Sequence, residues 1–306
     1  MTSQHDLSLA GCASPSVRPP ARRFVVVVNP DAGSAHKRLA IKVVERLRVR
    51  GAEVKVETAA QPDAIFTIAS ASNDDAILIA GGDGSINQAV RGLRTRARPR
   101  PALGIIPVGT VNVLAQDIGL SRSADALARS FVDGVTTPLH FGEANGRPFV
   151  LMASAGVDAE IVRSVDLNLK KKIGRVAYLY SALRTFWRGD FPTIEAVVEG
   201  GVVTAKCVVV ANSKYYGGRF VLDRDAGALQ PGLTLIAIRD LSLASLLALV
   251  VYLATGRVDR GGRLVKLPVE RVVLRAKHVA TQIDGDFLGE TPLEICAGAD
   301  TVDLLR

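Results

Sequence analysis

Apolar and polar positions alternate with two different periods in the first half of the chain. Apolar or β-branched runs at 24–28, 76–80 and 103–106 predict buried strands, and residues 53–58 alternate like a strand with one exposed face. Between these runs apolar residues recur at helical spacing, and the first predicted helix is expected to end at Gly51. Strands that alternate with helices in short units form a parallel sheet with helices on both faces. The pattern therefore predicts an α/β domain.

Polar turns follow three of these strands. The turns lie at 29–34, 81–87 and 107–112, each directly after an apolar run. The carboxyl ends of parallel strands lie at one edge of a sheet, where ligands bind in open α/β folds. We expect the three turns to converge on one site.

The second half has a different pattern. Residues 139–143 and 148–153 flank Asn145-Gly146, a dipeptide typical of a tight β-hairpin turn, and Gly200-Gly201 is a second hairpin turn. Further strand-like runs are at 193–199, at 202–211, at 233–238 and from 263 to the end, with helices predicted near 158–188 and 241–255. This half is predicted to be an antiparallel β domain.

Composition supports two folded domains and excludes a disordered chain. The 306 residues are 48% hydrophobic, with a mean hydropathy of +0.24. Residues 1–22 differ, because they are rich in Ser, Pro and Arg and lack the apolar core of a secretory signal, so they predict a flexible tail. The three cysteines are scattered, which fits neither a disulfide framework nor a metal site and favours a reducing cytoplasm.

The formal net charge of +8 at pH 7 suits an anionic partner, such as a nucleotide, a nucleic acid or an acidic membrane. Nucleic acid is disfavoured, because aromatic residues make up only 5% of the chain and neither a zinc finger nor an RNA-binding motif is present. A solvated basic surface without a specific partner fits the charge equally well.

The turn at Gly81-Gly82-Asp83-Gly84 is the part of the sequence that best indicates the type of reaction. Glycines let backbone N–H groups approach a ligand closely, and a helix N-terminus behind them is a ready anion site. The carboxylate of Asp83 would repel a phosphate unless a metal ion or a substrate hydroxyl proton lay between the two. This combination indicates phosphoryl transfer. A Walker loop, a dinucleotide-binding fingerprint and a protein-kinase catalytic loop are all missing from the sequence.

Four short motifs occur in a fixed order along the chain. They are Asn29-Pro30-x-x-Gly33, Gly81-Gly82-Asp83-Gly84-Ser85-x-Asn87, Gly109-Thr110-x-Asn112-x-x-Ala115 and Ile283-Asp284-Gly285-Asp286. With these motifs the chain resembles the diacylglycerol kinase catalytic-domain family, which includes bacterial soluble lipid kinases and the sphingosine and ceramide kinases. The resemblance extends from Phe24 to the C-terminus, although the glycine–aspartate loop alone is also similar to those of NAD kinases and phosphofructokinases.

The resemblance implies a fold of the α/β plus β class. It implies an N-terminal three-layer α/β/α domain over 23–138 that binds ATP, and a C-terminal antiparallel β-sandwich over 139–287 that carries the lipid acceptor site. It also implies that residues 288–306 pack back on the first domain and that the reaction takes place in the cleft between the domains. Residues 1–22 are expected to stay outside both as the flexible tail.

The resemblance also implies roles for particular residues. The nucleotide-binding residues expected are Asn29, Pro30, Gly33, Gly81, Gly82, Gly84, Ser85, Asn87, Gly109, Thr110 and Asn112. Three aspartates form the expected catalytic set. Asp83 and Asp284 compete for the general-base role, and Asp284 is favoured, with Asp83 then binding Mg²⁺ or orienting the acceptor. Asp286 is expected as a second metal ligand. Plainer roles stay open, because Ser85 or Asn87 can cap a helix and residues 284–286 can be a simple β-turn.

The chain departs from the family pattern in two places. Asp286 stands where glutamate is common in the late motif, which keeps a carboxylate on a shorter stem. Residues 223–232 lack the acidic pair with which bacterial relatives bind a structural Mg²⁺, although Asp223 and Asp225 are a partial remnant.

Two predicted helices bear on a membrane surface. One carries basic residues next to aromatic ones, namely Lys170, Lys171, Lys172, Arg175, Arg184 and Arg188 beside Tyr178, Phe186 and Trp187. It would suit an anionic membrane surface, and an amphipathic core helix with solvated charges is the alternative. Residues 241–255 are apolar but fall short of the roughly 20 residues that span a bilayer, so we expect a buried or interfacial helix there.

The leading hypothesis is an ATP- and Mg²⁺-dependent kinase that phosphorylates a hydroxyl of a diacylglycerol-like or sphingoid lipid. Two alternatives are a kinase for a soluble acceptor such as NAD and a non-catalytic sensor of nucleotide or lipid. The expected location is the cytoplasm, with peripheral binding to the inner membrane face. The expected partner is a lipid substrate at that surface. A homodimer is a further expectation, and binding to nucleic acid is not expected.

Overall fold

The computed structural model describes residues 16–17, 23–29, 34–61, 63–164, 191–218, 220–255 and 261–306. Pro30 and Gly33 of the first motif, the basic helix predicted at 171–188 and most of the predicted tail lie outside the described residues. Along the described chain, helices are numbered from α1 and strands from β1.

The first domain is built on a sheet whose central strands are parallel in the order β5-β4-β2-β3. These strands are β2 (Arg23–Val28), β3 (Glu53–Thr58), β4 (Ala76–Gly81) and β5 (Ala102–Pro107). The helices are α1 (Ser34–Val49), α2 (Ala64–Ala71), α3 (Asp83–Arg94), α4 (Val113–Asp117) and α5 (Ala124–Asp133).

Successive residues of β2 point to opposite faces of this sheet, as the period of a strand requires. Val25 and Val27 belong to the core that contains α2 and α3, whereas Phe24 and Val26 belong to the core that contains α1 and α5. The sheet is therefore covered on both faces, and the predicted three-layer α/β/α class is confirmed.

Three further strands extend the sheet beyond β5. Strand β21 (Val302–Leu305) pairs parallel with β5 and antiparallel with β6 (Val135–Leu139), and β1 (Ser16–Val17) pairs antiparallel with β6. Of the segment 288–306, strand β21 lies in this sheet, whereas β20 (Leu293–Ala297) lies in the second domain. Ser16–Val17 falls within the predicted tail, and its pairing with β6 shows that this part of the tail is held by the sheet.

The second domain is a sandwich of two antiparallel sheets around a shared apolar core, which confirms the predicted β class. The first sheet has the order β11-β10-β17-β20-β7-β8 and comprises β7 (Gly142–Ala144), β8 (Arg147–Phe149), β10 (Ile194–Val198), β11 (Gly201–Ala205), β17 (Arg271–Arg275) and β20. The second has the order β16-β15-β12-β9-β18-β19 and comprises β9 (Met152–Gly156), β12 (Cys207–Ala211), β15 (Leu233–Ile238), β16 (Leu264–Val269), β18 (Ala280–Ile283) and β19 (Asp286–Glu290).

Two runs predicted as single strands are divided between these sheets. The run 202–211 breaks at Lys206 into β11 and β12, and the run 148–153 breaks into β8 and β9. Each prediction was wrong because both pieces of each run have strand composition, so local pattern does not reveal where the chain crosses from one sheet to the other.

The remaining elements connect the sandwich. Asn145 and Gly146 both have positive φ (48° and 76°), as the predicted tight hairpin turn requires. Helices α6 (Val157–Ser164) and α7 (Leu243–Thr255) and a small hairpin of β13 (Tyr215–Tyr216) and β14 (Phe220–Val221) complete the described part. No helix within these described residues combines the length and apolarity needed to cross a bilayer.

Candidate active site

The carboxyl ends of β2, β4 and β5 bring the three polar turns together. The backbone N–H of Asn29 donates to the carbonyl of Ala80 at 3.1 Å, and its Nδ2 donates to Ser85 Oγ at 3.3 Å. A Cβ added to Gly109 would lie 2.5 Å from the Cα of Gly82. The turns after β4 and β5 therefore touch through their backbones, and the predicted convergence is confirmed.

The turn between β4 and α3 leaves its backbone N–H groups open to close approach by a ligand. A Cβ on Gly81 would lie 2.5 Å from both Cβ and Oγ of Ser85, so only glycine fits this position. Gly84 is exposed and has open space on its Cβ side. The first N–H groups of a helix have no intrahelical acceptor, and the helix dipole adds positive potential there. This turn can therefore bind a phosphate group.

Asp83 begins α3 and ties this turn to the next one. Its Oδ2 accepts the N–H of Val113 and its Oδ1 accepts that of Leu114, both at 3.0 Å, so the carboxylate caps α4. Burial raises the pKa of Asp83, and the hydrogen bonds from Leu114 and Val113 oppose that rise. Each oxygen keeps a lone pair beyond these bonds, so Asp83 can also bind a cation.

Asn112 closes the turn after β5. Its Oδ1 accepts the N–H of Gly109 at 2.8 Å, and its Nδ2 donates to the carbonyl of Gly109 at 2.6 Å. The side chain is buried and the residue has a φ of 53°. These bonds give Asn112 a turn-forming role, whereas Thr110 is exposed and can contact a ligand.

Asp284 lies in the turn between β18 and β19 and reaches back towards the first domain. Its Oδ1 accepts the N–H groups of Leu151 (2.8 Å) and Met152 (3.1 Å). Its Oδ2 accepts the N–H of Val150 (2.9 Å) and the Nδ2 of Asn87 (2.7 Å). Burial raises the pKa of Asp284 to about 6, against the lowering effect of these hydrogen bonds. The four donors fill the acceptor capacity of the carboxylate, which makes Asp284 a fixed anchor of the turn.

Asn87 joins the two domains from the second turn of α3. Besides its bond to Asp284, its Nδ2 donates to the carbonyl of Pro148 at 2.8 Å. Both partners are acceptors, so the amide orientation is fixed by chemistry. Asn87 is only 9% exposed, so its side chain has little room to contact a nucleotide as well.

Gln282 holds the same turn from the side of the sandwich. Its Oε1 accepts the N–H of Gly285 at 2.8 Å, and its Nε2 donates to Ser154 Oγ at 2.8 Å and to Asp158 Oδ2 at 3.0 Å. Tyr216 and Ser154 also donate hydrogen bonds to Asp158. Sequence reasoning missed Gln282 and Asp158, because two of the four residues of β18 (ATQI) are polar and only the structure shows that all four are buried.

A cavity of about 230 Å³ lies beside this turn, between the two domains. Gly84 and Asp286 line it, and among the described residues the exposed carboxylate of Asp286 has no hydrogen-bond or ion-pair partner. Arg91 and Arg147 line the same cavity, and Arg91 also lies 3.6 Å from a carboxylate oxygen of Asp63. Sequence reasoning missed both arginines. The cavity therefore combines an anion-binding turn, a free carboxylate and two cations.

No group of three His, Cys, Asp or Glu side chains in the described part of the chain could hold a metal ion by itself. In the segment 223–232, Lys266 Nζ lies 2.6 Å from Asp223 Oδ1 and 3.5 Å from Asp225 Oδ2. Burial alone would raise the pKa of Asp223, but the hydrogen bonds, above all that from Lys266, lower it overall. The ammonium group of Lys266 thus pairs with the two aspartates that the sequence suggested as a remnant of a metal site.

Family models match both halves of the chain. The model described as "Diacylglycerol kinase catalytic domain" matches residues 23–144, and that described as "YegS C-terminal NAD kinase beta sandwich-like domain" matches residues 151–306.

Relatives align over most of their own length. A diacylglycerol kinase of Bacillus subtilis (strain 168) is 27% identical over 284 residues, which are 89% of this chain and 92% of that protein. A diacylglycerol kinase of Staphylococcus carnosus (strain TM300) is 23% identical over 278 residues, 89% of this chain and 90% of that protein.

A crystal structure of a diacylglycerol kinase from Bacillus anthracis str. Sterne superposes with a TM-score of 0.71 at 18% identity, covering 94% of this chain and 97% of that one. At this identity the superposition shows a common fold. Because one family model covers the α/β half and another the β-sandwich, the chain belongs to the diacylglycerol kinase catalytic-domain family, whose members are ATP-dependent kinases of lipid hydroxyl groups.

Proposed function

We propose that this chain transfers the γ-phosphoryl group of ATP to a hydroxyl of a diacylglycerol-like or sphingoid lipid in the cavity between its domains. The observation that carries the proposal is the bond between Asn87 and Asp284. It fixes the phosphate-binding turn of the first domain beside the late-motif turn of the second. Phosphoryl transfer depends on such positioning and on charge around the transferred group.

The nucleotide is proposed to bind along the edge formed by β2, β4 and β5, with its phosphates at the N-terminus of α3. The residues proposed to contact it are Asn29, Pro30, Gly33, Gly81, Gly82, Gly84, Gly109 and Thr110. Ser85 and Asn112 shape these turns through the hydrogen bonds described above. Arg91 and Arg147 supply positive charge at the wall of the cavity.

Magnesium is proposed to arrive with the nucleotide, because Mg²⁺ is commonly held by one or two carboxylates together with substrate phosphates. Asp83 has free lone pairs beside the phosphate-binding turn and fits as a ligand. The free carboxylate of Asp286, which the resemblance implied as a second metal ligand, is instead left to accept a proton. When bound, the ion would neutralise charge on the transferred group.

Asp286 is proposed as the group that accepts the hydroxyl proton of the lipid. The hydroxyl oxygen forms a bond to the γ-phosphorus, the bond from that phosphorus to the β–γ bridging oxygen breaks, and the proton moves to the carboxylate. Asp284 was expected to be this base, but its four hydrogen bonds leave no acceptor site for a proton that arrives from the cavity. Asp284 instead fixes the turn that presents Asp286.

Peripheral binding at the inner membrane face is proposed from the charge of the chain. The acceptor lipid is embedded in a bilayer, and a net charge of +8 favours a surface that carries anionic lipids. ATP is then available from the cytoplasm.

The proposal is tested by incubating the protein with labelled ATP and a total lipid extract and identifying any labelled product by mass. NAD is offered as the acceptor in a parallel reaction, because the family model that matches residues 151–306 describes an NAD kinase beta sandwich-like domain. Label in a lipid and none in NAD is the expected result. Label in NAD alone would assign the soluble acceptor instead.

The role of Asp286 is tested with Asp286→Asn, for which we expect the rate to fall by about 10²-fold or more. The matched control is Asp225→Asn, because the side chain of Asp225 is 90% exposed and Asp225 does not line the cavity. Full activity of Asp286→Asn together with loss of activity in Asp83→Asn would move the base to Asp83.

A further inference from the structure

An apolar stripe runs along the outer face of α7. Leu243, Leu247, Val250 and Val251 are 73%, 58%, 61% and 53% exposed, and their spacing places them on one side of the helix. Phe220 of the neighbouring β14 is 56% exposed and belongs to a strand that contacts α7. We call these five residues the α7 patch. Exposed apolar residues scattered singly are ordinary, whereas a contiguous patch marks a surface with a partner.

The opposite face of α7 explains why the helix is held in this orientation. Tyr252 and Ser245 are buried, and Tyr252 donates a hydrogen bond to the carbonyl of Leu222 at the end of the small hairpin. The helix is therefore fixed to the protein by one side. The other side carries the apolar side chains of the patch and no charge, because residues 241–256 contain no charged residue.

We propose that the α7 patch docks the protein on a bilayer surface that carries anionic lipids; this inference rests on the proposed lipid kinase function. A bilayer accepts a narrow apolar stripe, because an interfacial helix buries its apolar face only about 5–10 Å deep. A stable protein partner takes about 20–30 residues on each side, many more than the five residues of the patch. The net charge of +8 adds attraction to anionic headgroups.

The patch is also connected to the active site. The hairpin of β13 and β14, on which α7 packs, carries Tyr216, and Tyr216 donates a hydrogen bond to Asp158. Asp158 is bonded to Gln282, which holds the N–H of Gly285 in the late-motif turn. A bilayer bound at α7 therefore lies against the structural unit that positions the acceptor side of the cavity.

The experiment compares the full chain with Leu247→Gln/Val250→Gln in flotation with vesicles of phosphatidylcholine, with and without phosphatidylglycerol. Glutamine is a good helix former, and both side chains are exposed, so the fold should be kept. The matched control is Ile41→Gln/Val49→Gln, which changes two apolar residues of α1 that are 57% and 78% exposed. We expect binding to anionic vesicles to fall by about tenfold or more in the α7 variant only.

Two further measurements keep the test decisive. Amide hydrogen exchange over 243–255 should slow when anionic vesicles are added to the wild type, a readout that needs no substitution. Activity on a short-chain diacylglycerol, used as a monomer in solution, should be equal in wild type and α7 variant, whereas activity on vesicle-embedded diacylglycerol should fall in the variant.

The outcomes separate the two proposals. Equal vesicle binding by wild type and α7 variant, or a change of oligomeric state in the variant that reveals a second copy on the patch, would overturn the docking surface. Absence of phosphorylation of even the short-chain lipid would refute the kinase proposal, and vesicle binding through the α7 patch would still be measurable.

Discussion

Replacing Asn87 by alanine tests whether the two halves of the site are joined as the structure shows. The Asn87 Nδ2 group donates to the Asp284 carboxylate at 2.7 Å and to the Pro148 carbonyl at 2.8 Å, and both acceptors belong to the second domain. A hydrogen bond to a charged group contributes about 1.5–3 kcal/mol, and one between neutral groups contributes about 0.5–1.5 kcal/mol. We therefore expect Asn87→Ala to reduce the free energy of unfolding by about 2–4 kcal/mol.

The same change should lower kcat while KM for ATP stays within about twofold, because the substitution loosens the turn that presents Asp286 without removing a nucleotide contact. Thermal unfolding and steady-state kinetics measure the two effects. Gln88→Ala is the matched control, because Gln88 is the next residue of α3 and lines the same cavity. An unchanged Tm together with a KM for ATP raised about tenfold would refute this reasoning and return Asn87 to the nucleotide-binding role that the family resemblance implies.

Three further predictions concern single positions. Gly84→Ala meets no atom within 4 Å of the new Cβ, so Tm should be kept or rise slightly, while KM for ATP should rise by about tenfold because the methyl group stands at the phosphate-binding turn. The pKa of Asp284 is raised to about 6, well above that of an unfolded aspartate, so its titration stabilises the fold most at low pH and this contribution is lost as pH rises through 6. In urea unfolding, the free energy of unfolding of the wild type should therefore rise relative to that of Asp284→Asn by about 1.4 kcal/mol per pH unit as pH falls from about 6 to about 4. A difference between the two proteins that stays constant over this range would contradict the raised pKa. Lys266→Met leaves Asp223 buried without its cation and should reduce the free energy of unfolding by about 2–3 kcal/mol. The Tm of the wild type should not change when EDTA is added, and a fall in Tm with EDTA would indicate a structural metal site.

Much of the fold was accessible from local pattern. The alternation of apolar strands and amphipathic helices determined the α/β layers, because side-chain period reports which face of an element is buried. The turns after β2, β4 and β5 were placed at one edge of a sheet because parallel strands share a direction, and the approach of Gly82 and Gly109 bears this out. The crossings between the sandwich sheets at 202–211 and 148–153 were not accessible, because strand composition is the same on both sides of each crossing.

The site divides in the same way. By itself the sequence pointed to phosphoryl transfer at residues 81–84, because glycines before a helix with a carboxylate among them have a chemistry that is independent of the rest of the chain. Residues 284–286 were added by the family resemblance. Only the tertiary structure decided which carboxylate is free. Asp284 receives its donors from Asn87 and from residues 150–152, which are 197 and about 133 positions away along the chain. Asp286, two residues later, lines the same cavity but has no such donor among the described residues. Hydrogen-bond saturation depends on packing between distant segments, so no short motif can report it.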